Sequence, residues 1–324
     1  MGSLIRPLQA AGYRGRFAPS PTGLLHLGSL LAAAGSYLQA RARNGAWLVR
    51  MEDLDATRTV PGAGDGILRT LERLGFEWDG EIVRQSARSE TYAAALSDLQ
   101  QIGAVFPCSC SRRDLPDEGW YPGTCRDGVR DPGRDTAFRF RVPRGEGPDS
   151  PASVAFEDLL QGLYVQDVAR VVGDFVVRRR DGYHAYQLAV VVDDAAQGIT
   201  EVVRGYDLLD NTPRQILLQR ALSLPQPAYV HLPLLVEADG NKLSKSRRSL
   251  PVGDESASLT IHRVLTLLGQ TPPPDLAEGT LADTWKWAVA HWRPQVLRGV
   301  AQVADPPPAI TDPPRATADP PRER

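Results

Sequence analysis

Two lysines in the pentapeptide KLSKS, residues 242–246, are the first side chains whose type and spacing suggest chemistry. The chain has 34 arginines but only three lysines, and Lys242 and Lys245 are two of the three. Lysine offers a compact ammonium on a flexible stem, whereas arginine offers a rigid planar fork. A mobile phosphate that needs a point charge suits lysine. The segment alone leaves two interpretations open, a phosphate-binding loop and a solvated basic loop.

A second candidate for phosphate binding is PSPTGLLHLGS, residues 19–29, where a strand ends and a helix is expected to begin near Leu24 or Leu25. The first turn of a helix presents free N–H groups and the positive end of its dipole, which together attract phosphate. His26 is expected in this turn, where its imidazole can donate a hydrogen bond to a phosphate oxygen. Gly28 would let a flat ligand such as a nucleotide base approach the helix backbone. A core helix that tolerates a histidine and a glycine is the alternative.

The order of strand and helix patterns predicts a parallel α/β sheet. GRFA (15–18) and AWLVRMEDLD (46–55) have the composition of strands, and the second ends in the carboxylates Glu52, Asp53 and Asp55. Residues 24–43, 64–74 and 88–102 show apolar residues at helical spacing. Further buried strands are predicted at 185–194, 198–205 and 229–237, with Thr212 as the N-cap of a helix between the last two.

The composition is that of an ordinary globular enzyme, with 42% hydrophobic and 23% charged residues and a net charge of −2. No overall positive field attracts nucleic acid, so any such contact would depend on local arginines, such as 178–180 or 247–248. No apolar run has the roughly 20 residues of a membrane span, and no signal peptide is apparent at the start. A cytoplasmic location without membrane contact is therefore expected.

Three cysteines fall within 18 residues, at Cys108, Cys110 and Cys125. An odd, clustered set in a cytosolic chain indicates metal binding more than disulfides. A tetrahedral zinc site needs a fourth ligand, and all five histidines lie elsewhere in the sequence. Three buried thiols without a metal are the alternative. The local candidates for the fourth ligand are Asp114, Asp117, Glu118 and Tyr121.

Five segments in consistent order, from about Arg16 to Ser246, resemble the catalytic domain of the class I glutamyl-tRNA synthetases. They are RFAPSPTGLLHLGS, WLVRMEDLDATR, YQLAVVVDD, EVVRG and KLSKS. The resemblance implies a Rossmann-like parallel sheet. It also implies that glutamate reacts with ATP, which Mg²⁺ accompanies, to form glutamyl-AMP and pyrophosphate. It assigns the departing pyrophosphate to Lys245 and Lys242, and the other end of the phosphate chain to His26 and its helix.

The same resemblance implies a glutamate pocket and a zinc site. Arg16 and Arg204 would bind the side-chain carboxylate and Glu52 the substrate ammonium, while Arg204 paired with Asp207 and a core role for Tyr186 are the alternatives. In the similar branch of the family, a tyrosine four residues before the last cysteine completes a structural zinc site, which corresponds to Tyr121 here. The remaining pocket residues implied by the resemblance are Phe17, Ala18, Pro19, Ser20 and Tyr186.

The resemblance also divides the chain. Residues 1–102 and 185–250 correspond to the two halves of the catalytic domain, 103–184 to an insertion that carries the zinc site, and 251–300 to a small helical segment. The last 24 residues repeat DPP three times and predict a disordered, polyproline-like tail, 301–324.

Only 78 residues follow Ser246, which is too few for the helical domain with which a glutamyl-tRNA synthetase recognises its anticodon. This truncated form is similar to the glutamyl-queuosine tRNA(Asp) synthetases, a branch that transfers activated glutamate to queuosine in the anticodon loop of tRNA(Asp). No obligate protein partner is then expected. The alternatives are an enzyme with another acceptor, a split synthetase that needs a partner subunit, and a non-catalytic paralogue.

Overall fold

The structure is a computed structural model that describes residues 12–116, 120–145, 150–236 and 255–305. The helices within these ranges are α1 (Leu27–Arg41), α2 (Ala63–Arg73), α3 (Ser89–Gln101), α4 (Val168–Val171), α5 (Tyr186–Ala196), α6 (Thr212–Ala221), α7 (Ala257–Leu267) and α8 (Leu281–His291). The strands are β1 (Arg14–Phe17), β2 (Ala46–Met51), β3 (Val83–Arg84), β4 (Val105–Cys108), β5 (Ala137–Phe140), β6 (Ser153–Asp158), β7 (Gly162–Asp167), β8 (Val176–Arg178), β9 (Glu201–Gly205), β10 (Ala228–Leu232), β11 (Leu234–Val236) and β12 (Gln302–Ala304). Lys242 and Lys245 lie outside the described residues.

The predicted parallel sheet is present in two hydrogen-bonded groups. Strands β3, β2 and β1 pair in parallel, and so do β9, β10 and β6, with β7 added antiparallel as a hairpin partner of β6. The two groups meet where the N–H of Thr200 donates to the carbonyl of Arg14 at 3.0 Å. The strand order across the molecule is therefore β3-β2-β1-β9-β10-β6-β7.

Alternating side chains of these strands enter two separate cores. Phe17, Val49 and Val203 belong to a core that α1, α2, α7 and α8 complete. Leu48 and Val202 belong to a core on the other face that α3, α5 and α6 complete. Because successive strand residues point to opposite faces, the residues next to the first set in sequence must point toward α5 and α6.

The insertion forms its own small sheet. Strands β4, β5 and β8 pair antiparallel, and a third, compact cluster contains Phe106, Tyr121 and the three cysteines. These three strands lie within residues 103–184, the segment assigned above to the insertion, whereas β6 and β7 from the same segment belong to the main sheet. Among the described residues, no helix is long and apolar enough to cross a membrane.

The prediction of a strand at 185–194 was wrong, because this run is helix α5. Nine consecutive residues, 187–195, are buried, so the sequence carries no alternation that would separate a buried strand from a buried helix. Three neighbouring valines favour a strand by propensity, but packing against α3, α6 and β8 overrides that preference.

The predicted strand at 229–237 is divided at Pro233 into β10 and β11. Proline has no N–H for the ladder. Strand β11 then pairs in parallel with β12, which falls at the beginning of the tail predicted to be disordered. That prediction was therefore wrong for 302–304, and the tail from 306 onward lies outside the described residues.

Two helix starts differ from the predictions by a few residues. Helix α1 begins at Leu27, and His26 is its N-cap rather than part of its first turn. Helix α6 begins at Thr212, with Asn211 as the N-cap. The Thr212 hydroxyl, predicted to cap the helix, instead accepts a hydrogen bond from Arg204 of β9 at 2.7 Å.

Candidate active site

Four nitrogen-bearing side chains project from the carboxyl ends of adjacent parallel strands toward α5 and α6. Each is next in sequence to an apolar residue that enters the α1 core, so the alternation of strand side chains directs all four to the opposite face. Ligands of open parallel sheets bind at this edge. The four are Arg16 on β1, Arg50 on β2, Arg204 on β9 and His231 on β10.

Asp194 of α5 is the shared acceptor for two of these arginines. Arg16 donates to it from Nε at 3.1 Å and from Nη2 at 3.4 Å, and Arg50 donates from Nη1 at 2.8 Å. Burial opposes ionisation of Asp194, but the two guanidinium groups outweigh burial and lower its pKa below the usual value. The carboxylate is therefore ionised, and it compensates positive charge that β1 and β2 bring into the interior.

Arg50 connects β2 to α5 from a fully buried position. It donates to the side chain of Gln197 at 2.7 Å and to Glu52 Oε1 at 3.4 Å, and its Nε lies 3.8 Å from Asp193 Oδ2. Burial would lower the pKa of Arg50, but the neighbouring carboxylates raise it above the ordinary value. Asp193 also accepts hydrogen bonds from Gln85, Arg88 and Tyr92 at 2.6–2.8 Å.

Glu52, directly after β2, is the carboxylate that this network presents at the edge of the site. Its N–H donates to the carbonyl of Pro19 at 2.9 Å, which fixes it beside the turn after β1. Its side chain is 10% exposed. Burial raises the pKa of Glu52, and the charges of Arg50 and Arg16 oppose that rise. A cation placed beside this carboxylate would favour its ionised form.

Arg204 differs from Arg16 and Arg50 in what surrounds it. No carboxylate lies within ion-pair distance of its guanidinium in the part of the chain that the structure describes, and the predicted alternative, a pair with Asp207, is not formed. A buried charge without an adjacent opposite charge is costly. Its N–H groups reach neutral acceptors only: His231 Nε2 at 3.0 Å, Gln215 Oε1 at 2.9 Å, Tyr186 Oη at 3.4 Å, Thr212 Oγ1 at 2.7 Å and the carbonyl of Leu208 at 3.3 Å.

Tyr186, the first residue of α5, joins the two halves of the site. Burial raises the pKa of its hydroxyl, and the nearby charges that act on the hydroxyl include Arg204, Glu52 and Arg16. Its ring packs against the core that α3, α5 and α6 complete, in agreement with the alternative core role, and its hydroxyl accepts a hydrogen bond from Arg204 Nη1 at 3.4 Å. The structure thus brings Arg16, Glu52, Tyr186 and Arg204 into one region.

The residues between Arg16 and Ser20 play different parts. The ring of Phe17 stacks on Trp47 in the core, with ring centroids 6.3 Å apart, so only its backbone could meet a ligand. Pro19 is buried and its carbonyl is engaged by Glu52. Ser20 is exposed and Ala18 partly so, which leaves these two available at the surface.

The amino end of α1 is organised by His26. Its Nδ1 accepts the N–H of Ser29 at 3.2 Å, and its Nε2 lies 3.0 Å from the Ser29 hydroxyl. The proton is therefore on Nε2 when the ring is neutral. A methyl group added at Gly28 would sit 3.9 Å from Leu235 Cβ, so this helix end lies beside β11, the strand that precedes KLSKS in sequence.

The three cysteines form a buried group whose sulfur atoms all lie within 4.8 Å of one another. Cys110 Sγ and Cys125 Sγ are 3.6 Å apart, and a tetrahedral site with Zn–S bonds of about 2.3 Å requires about 3.8 Å. Burial opposes ionisation of Cys125, but hydrogen bonds from the backbone of Arg130 and Ser109 help to lower its pKa to about 6. The donor set and spacing fit a zinc ion.

Tyr121 is placed as the fourth member of this cluster. Its hydroxyl oxygen lies 3.3 Å from Cys108 Sγ and accepts the N–H of Cys125 at 2.8 Å. The guanidinium of Arg139 covers its ring at 3.9 Å, and its N–H donates to the carbonyl of Val172 at 3.1 Å. Asp114 instead accepts hydrogen bonds from Ser111, while Asp117 and Glu118 lie outside the described residues.

The local arginines proposed for nucleic-acid contact are engaged within the protein. Arg179 pairs with Asp55 at 2.7 Å and with Asp181, and Arg180 donates to the carbonyl of Ser109 at 2.8 Å. Arg178 donates to the carbonyl of Gly182 at 3.3 Å. The other pair, 247–248, lies outside the described residues.

Sequence reasoning missed the residues that hold the predicted ones in place. Asp193 and Asp194 were assigned to a strand end, and Arg50 and His231 to no role. The signal available in the sequence was the pair Asp193 and Asp194 at the end of the largely apolar run 185–194. Two adjacent carboxylates in a buried segment require cationic partners, and Arg50, which lies between Val49 and Met51 in a predicted strand, was one candidate.

We expect Asp194→Asn to lower the free energy of unfolding by about 3 kcal/mol near neutral pH, because Arg16 and Arg50 lose a shared counter-charge. Since folding lowers the pKa of Asp194, its contribution is present above the unfolded value of about 3.9 and is lost as the pH falls through the lower folded value. Urea unfolding between pH 3 and pH 7 measures this. The exposed Asp275→Asn is the control, and an equal change in both variants would contradict the assignment.

Comparison with known proteins agrees with this geometry. The family model for class I tRNA synthetases (E and Q), catalytic domain, matches residues 13–119 and 128–274. A protein named Glutamyl-Q tRNA(Asp) synthetase from Pseudomonas paraeruginosa is 55% identical over 285 residues, 87% of this chain and 94% of the relative. One of the same name from Aromatoleum aromaticum is 53% identical over 290 residues, 87% of this chain and 90% of the relative.

Among solved structures, a glutamate-tRNA synthetase from Elizabethkingia anophelis has the same fold, with a TM-score of 0.75 and 22% identity over 91% of this chain and 68% of that one. The inserted subdomain and the parallel sheet are thus parts of a shared class I architecture. The chain belongs to the class I tRNA synthetases of the glutamate and glutamine type, and within them to the family of the Glutamyl-Q tRNA(Asp) synthetases, which are ligases.

Proposed function

We propose that the protein activates glutamate with ATP, without tRNA, and then transfers the glutamyl group to queuosine in the anticodon loop of tRNA(Asp). The observation that carries the first half is the buried guanidinium of Arg204, which is surrounded by neutral acceptors and faces Tyr186. A glutamate side chain would supply the missing negative charge. Glutamine would not, which is the basis for discrimination between two substrates of similar shape.

The remaining residues would orient the amino-acid substrate for attack. Glu52 would accept hydrogen bonds from its ammonium, while Tyr186 and Arg204 hold its side-chain carboxylate and Arg16 lines the same region. An oxygen of the α-carboxylate would then attack the α-phosphorus of ATP, the bond to the β-phosphate oxygen would break, and pyrophosphate would leave with that electron pair. Positioning of these charged groups, rather than proton transfer, accounts for the rate.

The phosphates would be held from two sides. The amino end of α1, with the backbone at Gly28, would bind the nucleotide side, where the Nε2–H of His26 would turn from the Ser29 hydroxyl to a phosphate oxygen. Lys242 and Lys245 would stabilise the pyrophosphate. The contact between the α1 end and β11 supports this pairing, since Lys242 follows Leu235 by seven residues in the sequence. Mg²⁺ accompanying ATP would supply further neutralisation of the phosphate oxygens.

The second half of the proposal concerns the acceptor. Support comes from the name carried by relatives that are more than 50% identical over almost nine tenths of this chain. The queuosine diol offers a hydroxyl oxygen that can attack the carbonyl carbon of glutamyl-AMP, releasing AMP and forming an ester. No described residue is assigned to the nucleoside, so this half of the proposal depends on the likeness to those relatives.

We also propose a structural zinc ion bound by Cys108, Cys110, Cys125 and Tyr121. The insertion has a small apolar cluster of its own, and a metal that bridges β4 to the loop containing Tyr121 and Cys125 would stabilise it.

For activation, we expect glutamate-dependent exchange of pyrophosphate into ATP by the isolated protein, with little exchange for glutamine. Arg204→Met should reduce kcat/KM for glutamate by about 100-fold, since a charged hydrogen-bond network of roughly 3 kcal/mol is removed. The control is the exposed Arg58→Met, which should resemble the wild type. An absolute requirement for tRNA would contradict tRNA-independent activation, and unchanged glutamate preference in Arg204→Met would contradict the role of Arg204.

For the acceptor, we expect labelled glutamate to attach to tRNA(Asp) that contains queuosine and not to the same tRNA with guanosine in that position. Mild alkaline treatment should release the label, because the expected product is an ester. Equal labelling of the two forms would reject queuosine as the acceptor. Labelling of neither form, with activation intact, would favour another acceptor or a missing partner subunit.

For the metal, we expect one zinc per chain by elemental analysis of the purified protein. Cys125→Ser should lose zinc and lower the thermal unfolding temperature, because a ligand and a buried thiolate are removed together. Ser111→Ala is a suitable control in the same loop region. Tyr121→Phe tests the fourth ligand, and full zinc retention in that variant would leave Tyr121 outside the coordination sphere.

A further inference from the structure

A chain of three buried polar side chains ends at the candidate carboxylate receptor. Asp158 Oδ2 lies 2.6 Å from His231 Nδ1, and His231 Nε2 lies 3.0 Å from Arg204 Nε. All three residues are at most 5% exposed. Arg204 and His231 are direct register partners on β9 and β10, so the contact between them is fixed by the sheet.

The hydrogen bonds define which atoms carry protons. Asp158 Oδ1 accepts the N–H groups of Leu160 at 3.0 Å, Gln161 at 2.9 Å and His231 at 3.3 Å. These donors and the ring of His231 lower the pKa of Asp158 against the effect of burial. The carboxylate is ionised and Nδ1 of His231 is its donor. Nε2 must then be the unprotonated nitrogen, because arginine Nε–H can only donate.

We infer that His231 is a positioning residue for substrate selection, because its neutral ring orients Arg204 while keeping the Asp158 carboxylate out of contact with it. This inference rests on the proposed function, in which Arg204 binds the glutamate side chain. A carboxylate in direct contact would satisfy Arg204 and compete with the substrate, as Asp194 does for Arg16. The imidazole of His231 separates the Asp158 carboxylate from Arg204 and gives the guanidinium a neutral hydrogen-bond acceptor.

The arrangement is sensitive to protonation of the ring. Four titratable or charged groups face His231. They are Asp158 at the end of β6, Arg204 on β9, Arg16 on β1, and Tyr229 on its own strand, whose ring centroid is 6.3 Å away. Thr212 Oγ1 of α6 lies 3.5 Å from Nε2 and is neutral. Burial and the arginines lower the pKa of His231, while Asp158 opposes them.

Protonation would place an N–H on Nε2, directed at the N–H of Arg204. Binding of glutamate should therefore weaken as the pH falls through the pKa of His231, which lies below the ordinary value of about 6.5. The side-chain carboxyl of glutamate itself titrates near 4.3. Above pH 5 the glutamate side chain stays mostly ionised, so a change in KM there reports titration of the enzyme and not of the substrate.

The test uses the full chain in pyrophosphate exchange with glutamate, and with glutamine as competitor, between pH 5 and pH 8. His231→Gln supplies an amide oxygen for Arg204 and cannot titrate. His231→Leu removes the acceptor altogether. Tyr229→Phe is the matched control on the strand of His231, since it removes a buried hydrogen bond with Gln219 of α6 and keeps the ring that lies 5.7 Å from the Arg204 guanidinium.

We expect the wild-type KM for glutamate to rise as the pH falls through the pKa of His231, and His231→Gln to show a flat profile with a KM near the wild-type value at pH 7.5. His231→Leu should raise the KM for glutamate by about 10-fold, because the buried Nε–H of Arg204 loses its acceptor. The same variant should lower the ratio of kcat/KM for glutamate to kcat/KM for glutamine. KM for ATP should stay unchanged in every variant, and Tyr229→Phe should follow the wild type.

A His231→Gln protein with the wild-type pH profile would overturn the inference. So would a His231→Leu protein that retains the wild-type KM for glutamate, or one whose KM for ATP rises in proportion. If His231→Leu fails to fold, which circular dichroism would show, the profile of His231→Gln decides alone. A wild-type protein that shows no glutamate-dependent exchange would reject the proposed function and this inference together, before any variant is compared.

Discussion

Unequal charge compensation among the buried arginines is the constraint on which the site depends. Arg16 and Arg50 share the carboxylate of Asp194, and Arg50 also lies close to Asp193 and Glu52. Arg204 has only neutral partners among the described residues. An isolated buried charge is costly. The charges of Arg16 and Arg50 are therefore compensated within the protein, whereas that of Arg204 is not compensated by a described carboxylate. The proposed substrate pocket lies at Arg204, the position at which no described carboxylate compensates the buried charge.

This distribution ties the fold to the chemistry. The carboxylates reach β1 and β2 because α5 packs across the carboxyl ends of those strands, with its first residue, Tyr186, at Arg204 and its acid pair further along. Had the same run formed a strand, Asp193 and Asp194 would point to opposite faces. Only the helix lets Asp193 bind Tyr92 and Arg88 while Asp194 binds Arg16 and Arg50.

The sequence was sufficient for the outline of the fold, and the proposed substrate contacts rest on residues that could be named from the sequence alone. Gly, Pro and His at the turn after β1, the carboxylates after β2 and the clustered cysteines all lie in short segments whose chemistry is local. It was insufficient for their supporting partners, because Arg50 and Asp194 are 144 residues apart in the chain. The helix α5 was missed for a related reason, since burial on all sides removes the periodicity from which a helix is recognised.

The last described residues, which include β12, have a structural role because they pair with β11. The N–H of Leu234 donates to the carbonyl of Ala301, that of Asp305 to Val236, and Asp305 is in turn bound by Arg263 of α7 at 2.6 Å. Strand β11 is therefore held by β12 on one edge and, through Asp305, by α7. Residues 302–305 look dispensable by composition, yet their removal would leave the backbone groups of β11 that pair with β12 without protein partners.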